Sequence, residues 1–483
     1  MNRQSRAWLL SVLVVLGSDA GVMGTASGGE TRPLFRNCTA DVKLQPGGSA
    51  ACWVDINRDG WTDLCTDRVW LNRAGKRFEP LTDSVGAVVA ADYDNDGYVD
   101  LFSWSNMKLL HNRAGKALEP VPLPRLPACV SRGACWADLN NDGFVDIYVG
   151  GYEDWNKGIT YPDLVLMNDG GRRFELAWSE VRYRARGVTA CDFDEDGDAD
   201  IYVSNYRLQP NILWVNDGTG RLADAARQRN ALATSGDFPG GHSIGAAWGD
   251  FDNDGRFDLF AGNFAHVDKR GDQPKSRFLR NLGADGNWRF DDKGPCGVPY
   301  QESYASPSVA DFDNDGDLDL YFTTVYAVAS FGRHNYPVLF RNDGNFEFHD
   351  VTAQAGLDKL PPTYQAAWAD FDHDGDMDLV TAGRLFENRH VGGHWLEIKL
   401  EADVPRVNHS AIGVQVRLSL PGRTLTRQIE SGTGEGNQNG DVLHFGLGAR
   451  DSAVELSIAW PGGRQQIVKR VTPDQRITIR AAH

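Results

Sequence analysis

The chain has 483 residues, 41% of them hydrophobic, with 49 basic against 66 acidic side chains and a formal net charge of −17. That length and apolar content can bury a large core, and the mean hydropathy of −0.42 fits a soluble protein. With no basic stripe, nucleic acid is excluded as a partner, and no apolar run reaches the ~20 residues that a membrane-spanning helix needs.

The first 26 residues have the layout of a secretory signal: Arg3 and Arg6, then an apolar run, then the small residues Gly24 and Ala26. Cleavage near Ala26 is expected, which makes the mature protein secreted or periplasmic. No cysteine directly follows that point, so a lipoprotein anchor is not expected. Loss of Arg3, Arg6 and Asp19 takes the net charge from −17 to −18.

From residue 55 onward one pattern recurs seven times, D-x-[D/N]-x-D-G-x-x-D followed by Leu or Ile. Its positions 1, 3, 5 and 9 are Asp55, Asn57, Asp59 and Asp63; Asp92, Asp94, Asp96 and Asp100; Asp138, Asn140, Asp142 and Asp146; Asp192, Asp194, Asp196 and Asp200; Asp250, Asp252, Asp254 and Asp258; Asp311, Asp313, Asp315 and Asp319; and Asp370, Asp372, Asp374 and Asp378. The steps between copies are 37, 46, 54, 58, 61 and 59 residues, a spacing that marks a repeat architecture. Hard oxygen donors at positions 1, 3, 5 and 9, a bend-permitting glycine at 6 and a backbone carbonyl at 7 are the donor set of a calcium loop. Up to seven calcium ions, mainly structural, are expected, with weaker binding where Asn57 and Asn140 lower the site charge. Seven divalent ions would offset most of the chain's acidity.

An EF-hand is excluded. Its position 12 must be Glu, and here that position holds Thr66, Ser103, Val149, Val203, Ala261, Phe322 and Thr381. Runs such as DIYVG and DLYFT follow the loop and suit strands. Each loop therefore joins two strands of a hairpin.

An apolar strand precedes each loop (SIGAAWGD, QAAWAD), and a third strand ends in an Asn-containing turn (VWLNRAGKRF, LVLMNDGGRRF, VLFRNDGNFEF) before a fourth. Four strands repeated seven times predict an all-β, seven-bladed propeller. The repeats resemble the FG-GAP/VCBS calcium-loop blades of integrin α-subunit propellers and of the cartilage acidic protein family, over residues 31–391. The last repeat supplies three strands, and LFRNCTADVKL near the start reads as its missing fourth, which would close the ring without an exposed sheet edge. Trp53, Trp136, Trp248 and Trp368, each two residues before a loop, are read as packing between blades.

Residues 392–483 change to alternating strands without acidic loops, which predicts a small separate β-sandwich-like domain. NHSAIGVQV, HFGLG and WPGG resemble the ASPIC/UnbV module that follows such propellers. That family has an aromatic and a Ser-Gln in mid-module where this chain reads SGTGEGNQNGD, so no family role is carried over to Gly432–Gly440.

The seven cysteines, at 38, 52, 65, 129, 135, 191 and 296, lie in a compartment that permits disulfides. Cys129 and Cys135 are close enough in sequence to bridge, and Cys52 and Cys65 flank the first loop. Connectivity stays open. A monomer is expected.

The loops opposite the calcium loops vary in length and carry His242, His266, His334, Tyr206, Arg207, Tyr304 and Arg333. Two functions compete for this face. The first is binding of an extracellular polysaccharide or protein, as the resemblance implies. The second is a calcium-stabilised lyase, isomerase or cyclase acting on a small-molecule substrate at the central channel. No local catalytic signature is present, which favours binding. Catalysis requires at least two of the three histidines within about 10 Å of one another across the channel, and such convergence would favour it over binding.

Overall fold

The computed structural model describes residues 33–482 apart from residue 269, so the expected signal segment lies outside the described residues. From Pro33 onward the chain forms one compact unit. Seven four-stranded antiparallel sheets start at Cys52–Val54, Val88–Ala91, Ser131–Ala137, Ala185–Cys191, Ser243–Gly249, Tyr304–Ala310 and Ala366–Ala369. They are called blades one to seven below. Each first strand contacts that of the next blade, and the seventh contacts the first, so the first strands form a closed ring around a central channel. Blade seven takes its fourth strand from the other end of the chain. Phe35–Asn37 pairs antiparallel with Arg384–Asn388, with Phe35 opposite Asn388.

The acidic loops join the first two strands of every blade with one backbone design. The glycine at position 6 has a positive φ in all seven loops, from 88° at Gly60 to 98° at Gly316, a conformation that costs other residues a steric penalty. The aspartate at position 9 is buried and accepts the amide N–H of the asparagine that ends the third strand, at 2.6–2.9 Å in every blade.

That asparagine also ties the blades together. Asn72, Asn112, Asn168, Asn216, Asn281, Asn342 and Asn388 are buried. Each donates from Nδ2 to a carbonyl of its own loop and also to the carbonyl at position 2 of the preceding blade's loop, the latter at 2.7–3.0 Å. Asn72 reaches Phe371 and so carries the chain of clips across the ring closure.

Between blades the tryptophans lie in the core. Trp53, Trp136, Trp248 and Trp368 are buried, and Trp136 and Trp368 pack on rings of their own and adjoining blades. Cys52 and Cys65 stand opposite each other across the first hairpin, and all seven cysteines are unpaired.

Beyond Asn388 the chain builds two more sheets. One pairs His394–Glu401 with Val442–Gly448 and, in parallel, with Gln475–Arg480; the other holds Arg423–Gln428, Gln415–Leu420, Val454–Trp460 and Arg464–Val471. Their apolar faces share one continuous core with Phe102, Trp104, Trp136 and Ile147 of blades two and three. The C-terminal sheets sit on the acidic-loop side. Ser410 Oγ accepts from Asp92 N at 2.7 Å, Gln415 donates to Asp192 O at 2.8 Å and Gly446 N donates to Asp311 Oδ2 at 3.0 Å. The change in strand pattern near residue 392 is thus not a break in packing.

One segment of this module enters the channel. Residues 428–440 hydrogen-bond to the first strand of every blade, including Asn437 Oδ1 to Ala51 N, Gln438 Oε1 to Ala90 N, Ser431 O to Trp136 N and Gln428 Nε2 to Ala190 O. Gly434 N donates to Ala246 O, Ser306 Oγ accepts from Glu435 N, and Asn439 Oδ1 accepts from Trp368 N. Main-chain groups at a channel wall need partners, and amide side chains supply both donors and acceptors. The fit is close: a Cβ at Gly187 would lie 2.1 Å from Gly434 O.

Two variants test the clips and the plug. Asn168→Ala removes two donors and leaves the carbonyls of Tyr93 and Val145 buried without them, an expected loss of about 2–5 kcal/mol in denaturant unfolding. Gly187→Val is expected to be as damaging because it drives a side chain into the backbone at Gly434. A loss under about 0.5 kcal/mol in either case, the range of an ordinary surface substitution, would contradict the corresponding role.

Candidate functional site

The acidic loops concentrate carboxylates that the protein only partly neutralises. At position 1, Asp92 accepts the N–H groups of Asp96 and Gly97 at 3.1 and 2.7 Å, and the other loops repeat this pattern with small variations. Burial pushes Asp63 up to about 8 and Asp100 to about 9, while Asp146, Asp200, Asp258, Asp319 and Asp378 rise well above the usual carboxylate range for the same reason. Neighbouring aspartates add to the effect. Asp311 is pushed to about 8 by burial and then by Asp315.

The donor set fits a hard divalent cation. Oδ1 of Asp194, Asp252, Asp311, Asp313 and Asp372 and Oδ2 of Asp200 are buried without a hydrogen-bond partner. In the triads Asp92/Asp94/Asp96, Asp250/Asp252/Asp254 and Asp311/Asp313/Asp315 one oxygen from each residue lies within 4.8 Å of the others. The position 9 carboxylates already accept backbone N–H groups and have further lone pairs for an ion.

The loops are not equivalent. Asn57 and Asn140 turn an amide N–H onto Asp59 and Asp142, at 2.9 and 3.1 Å. In blade five the guanidinium of Arg280 bridges Asp252 and Asp254, at 2.5 and 2.8 Å, and Arg256 also pairs with Asp254. An all-aspartate sequence therefore does not by itself make an open site.

The opposite end of the channel is lined by groups from first strands and variable loops. Arg186, buried near the start of its strand, pairs with Glu435 and lies under three tyrosine rings, with centroids 4.9 Å (Tyr152), 5.3 Å (Tyr364) and 5.4 Å (Tyr206) away. Burial pushes the Glu435 carboxyl up, opposed by Arg186 and Arg132. Arg132 is the more open of the two arginines, with 37% of its side chain exposed over Tyr152 and Tyr364. The floor of this mouth is therefore Glu435, from the C-terminal module.

Of the residues singled out in the sequence, Tyr206, His242 and His266 come together. The His242 ring lies 4.8 Å from Tyr206 and 5.0 Å from His266, and His266 Nδ1 is 3.2 Å from Glu302 Oε1. His334 and Arg333 are exposed and line a separate small cavity with Tyr300 and Glu302. Arg207 stacks 3.8 Å over Trp155 and pairs with Glu153 at 2.8 Å. Tyr304 does not face this end: it is 2% exposed, stacked 4.2 Å from Phe322, and its hydroxyl accepts from Gln301. Its position next to an irregular loop suggested exposure, but it begins a first strand and packs between blades.

Sequence reading missed Arg132, Arg186, Tyr364 and Glu435. The available clue was charge inside strands that are otherwise apolar or small, as in ARGVTAC, and a single acid within a glycine- and amide-rich stretch.

Comparison with known proteins agrees with this architecture. Residues 92–149, 192–261 and 325–381 match the FG-GAP-like repeat family, and residues 404–483 match the family described as ASPIC and UnbV. The chain is 27% identical over 358 residues to cartilage acidic protein 1 of Homo sapiens, covering 69% of this chain and 50% of that protein. With the Xenopus tropicalis protein it is 26% identical over 292 residues, 58% of this chain and 42% of the other. The chain thus spans about half the length of the curated relatives it matches. Among solved structures, BBS1N in complex with ARL6DN aligns over 74% of this chain and 98% of that one, at 10% identity and a TM-score of 0.40; a likeness at that level supports no inference. The motifs, the ring of blades and the C-terminal module agree: the chain carries FG-GAP-like repeats and an ASPIC and UnbV module and is related to cartilage acidic protein 1.

Proposed function

We propose that this is a secreted or periplasmic calcium-binding propeller that holds an extracellular polysaccharide or protein at the channel mouth opposite its calcium loops. The observation that carries the proposal is the half-open Arg132 guanidinium set over Tyr152 and Tyr364, above the buried Arg186–Glu435 pair. Tyrosine faces stack on sugar or aromatic rings, and a guanidinium on a rigid aromatic support recognises carboxylate or sulfate. Calcium in the acidic loops would serve the ring, neutralising carboxylates that burial disfavours.

Proximity favours a second, catalytic reading. His242 and His266 meet the distance that proton transfer requires, and Glu302 orients His266. Burial counts the other way: His242 is 2% exposed, which leaves the partly exposed His266 as the more accessible imidazole of the pair. We give binding priority on that ground.

Calcium is expected to raise the unfolding midpoint and excess EGTA to lower it, since an ion at a hundredfold excess over its Kd contributes about 2.7 kcal/mol per site. An unchanged midpoint would contradict the structural role of calcium.

The chelated protein should also respond to pH in an unusual sense. The position 9 aspartates have folded pKa values raised above their unfolded ones, Asp63 to about 8 and Asp100 to about 9, so their ionisation opposes folding. That penalty is absent below about pH 4, the unfolded value, and grows as pH rises toward the folded values. Without metal, stability should therefore fall between about pH 4 and 8, and saturating calcium should abolish the fall. A chelated protein that gains stability over this range would contradict the assignment.

For the mouth, Arg132→Ala should weaken retention on an immobilised acidic polysaccharide or protein ligand by tenfold or more, roughly 1.4 kcal/mol, without altering calcium content. If His266→Ala abolishes a measurable turnover while Arg132→Ala leaves it intact, the catalytic reading replaces binding.

A further inference from the structure

Blade two differs from the other six at one structurally defined position. It is the residue just before the clip asparagine, which in blade five, as Arg280, reaches the acidic loop and bridges Asp252 and Asp254. Elsewhere this position holds Leu71, Met167, Val215, Arg280, Arg341 or Glu387; in blade two it holds His111.

His111 is 8% exposed, and its Nδ1 is buried without a hydrogen-bond partner. That nitrogen lies 3.2 Å from Asp100 Oδ1 and 3.4 Å from Asp94 Oδ2. One ligand atom from each of Asp94, Asp100 and His111 falls within 4.8 Å of the others, a spacing that one ion can span. The Tyr93 ring packs edge-on against the imidazole, with centroids 6.1 Å apart, and holds its orientation. A second imidazole adjoins the same loop from the C-terminal module, with His409 Nδ1 3.4 Å from Asp92 Oδ2.

Calcium takes oxygen ligands, whereas an imidazole nitrogen beside carboxylates suits zinc and its neighbours in the first transition row. We propose that the loop of blade two is a site for a zinc-class divalent ion, held by Asp94, Asp100 and His111, and that the other loops keep their all-oxygen donor sets. The proposal rests on the reading that the acidic loops bind cations. It divides the ring's metal sites into two chemical classes, so that one site can stay filled when calcium is scarce.

The test uses the full-length mature protein, stripped with EDTA, loaded with zinc and dialysed against millimolar calcium. The expected result is one zinc ion retained per chain by elemental analysis, with anomalous diffraction at the zinc edge placing it between Asp94, Asp100 and His111. His111→Gln should lower zinc affinity by more than about tenfold while calcium content at the other loops is unchanged, and His266→Gln, in the other imidazole cluster, should leave the zinc in place. Anomalous diffraction on the unsubstituted chain decides the matter if His111→Gln does not fold. Complete displacement of zinc by calcium, zinc retained in His111→Gln, or zinc lost in His266→Gln would overturn the proposal. A chain that binds calcium in its loops but no zinc fails this inference alone; one that binds neither fails the cation reading on which it rests.

Discussion

A buried aspartate at the ninth position of each loop is the contact on which the rest of the ring depends. It is almost inaccessible to water, as at Asp63, Asp100 and Asp146, yet it occupies the start of a second strand where an apolar residue would pack more easily. Its carboxylate orders the loop by accepting backbone N–H groups, and it fixes the asparagine that clips one blade to the one before. Such a group is costly to bury ionised without partners. On the proposed reading that the loops hold cations, the same residue sets both the demand for the ion and the geometry that joins neighbouring blades, and metal occupancy and ring integrity are coupled through it.

The second organising feature is the amide-rich segment in the channel. A propeller leaves the inner edges of its first strands facing a narrow lumen. Here those edges are met by one chain segment, through Asn437, Gln438 and Asn439, in place of water alone. Because this segment belongs to the module docked on the acidic-loop side, it links the two ends of the disc. Its Glu435 reaches Arg186 at the far mouth, while the sheets that carry it contact the loops at Asp92, Asp192 and Asp311. A module that reads as an appendage in the sequence is part of both candidate sites.

Much of this was legible in the sequence for a physical reason. A loop whose carboxylates bond fixed backbone N–H groups tolerates no slippage, so the spacing from Asp55 to Asp63 recurs unchanged, and period-two strands flank it. The closure by Phe35–Asn37 could be read because one strand was missing at one end and left over at the other. The channel plug could not. Glycine, asparagine and glutamine carry no periodicity, and their partners on the blades lie more than 60 residues away in sequence, as with Asn437 and Ala51. The asparagine turns were visible, but their bond to the neighbouring blade was not, since nothing local distinguishes a turn asparagine from a clip. Tyr304 was misplaced because a tyrosine beside an irregular loop looks exposed until its strand is assigned.

Hydrogen exchange of the loop and clip amides tests the coupling between metal and ring most directly. The N–H groups of Gly60, Gly97 and Gly143 and of Asn72, Asn112 and Asn168 are bonded to loop carboxylates, so their protection reports on the loops individually. If cations hold the blades in register, chelation should lower protection at loop and clip amides together and across several blades. Loss confined to the loop glycines, with the clip asparagines still protected, would contradict the account and leave the ions as ornaments on a ring that stands without them.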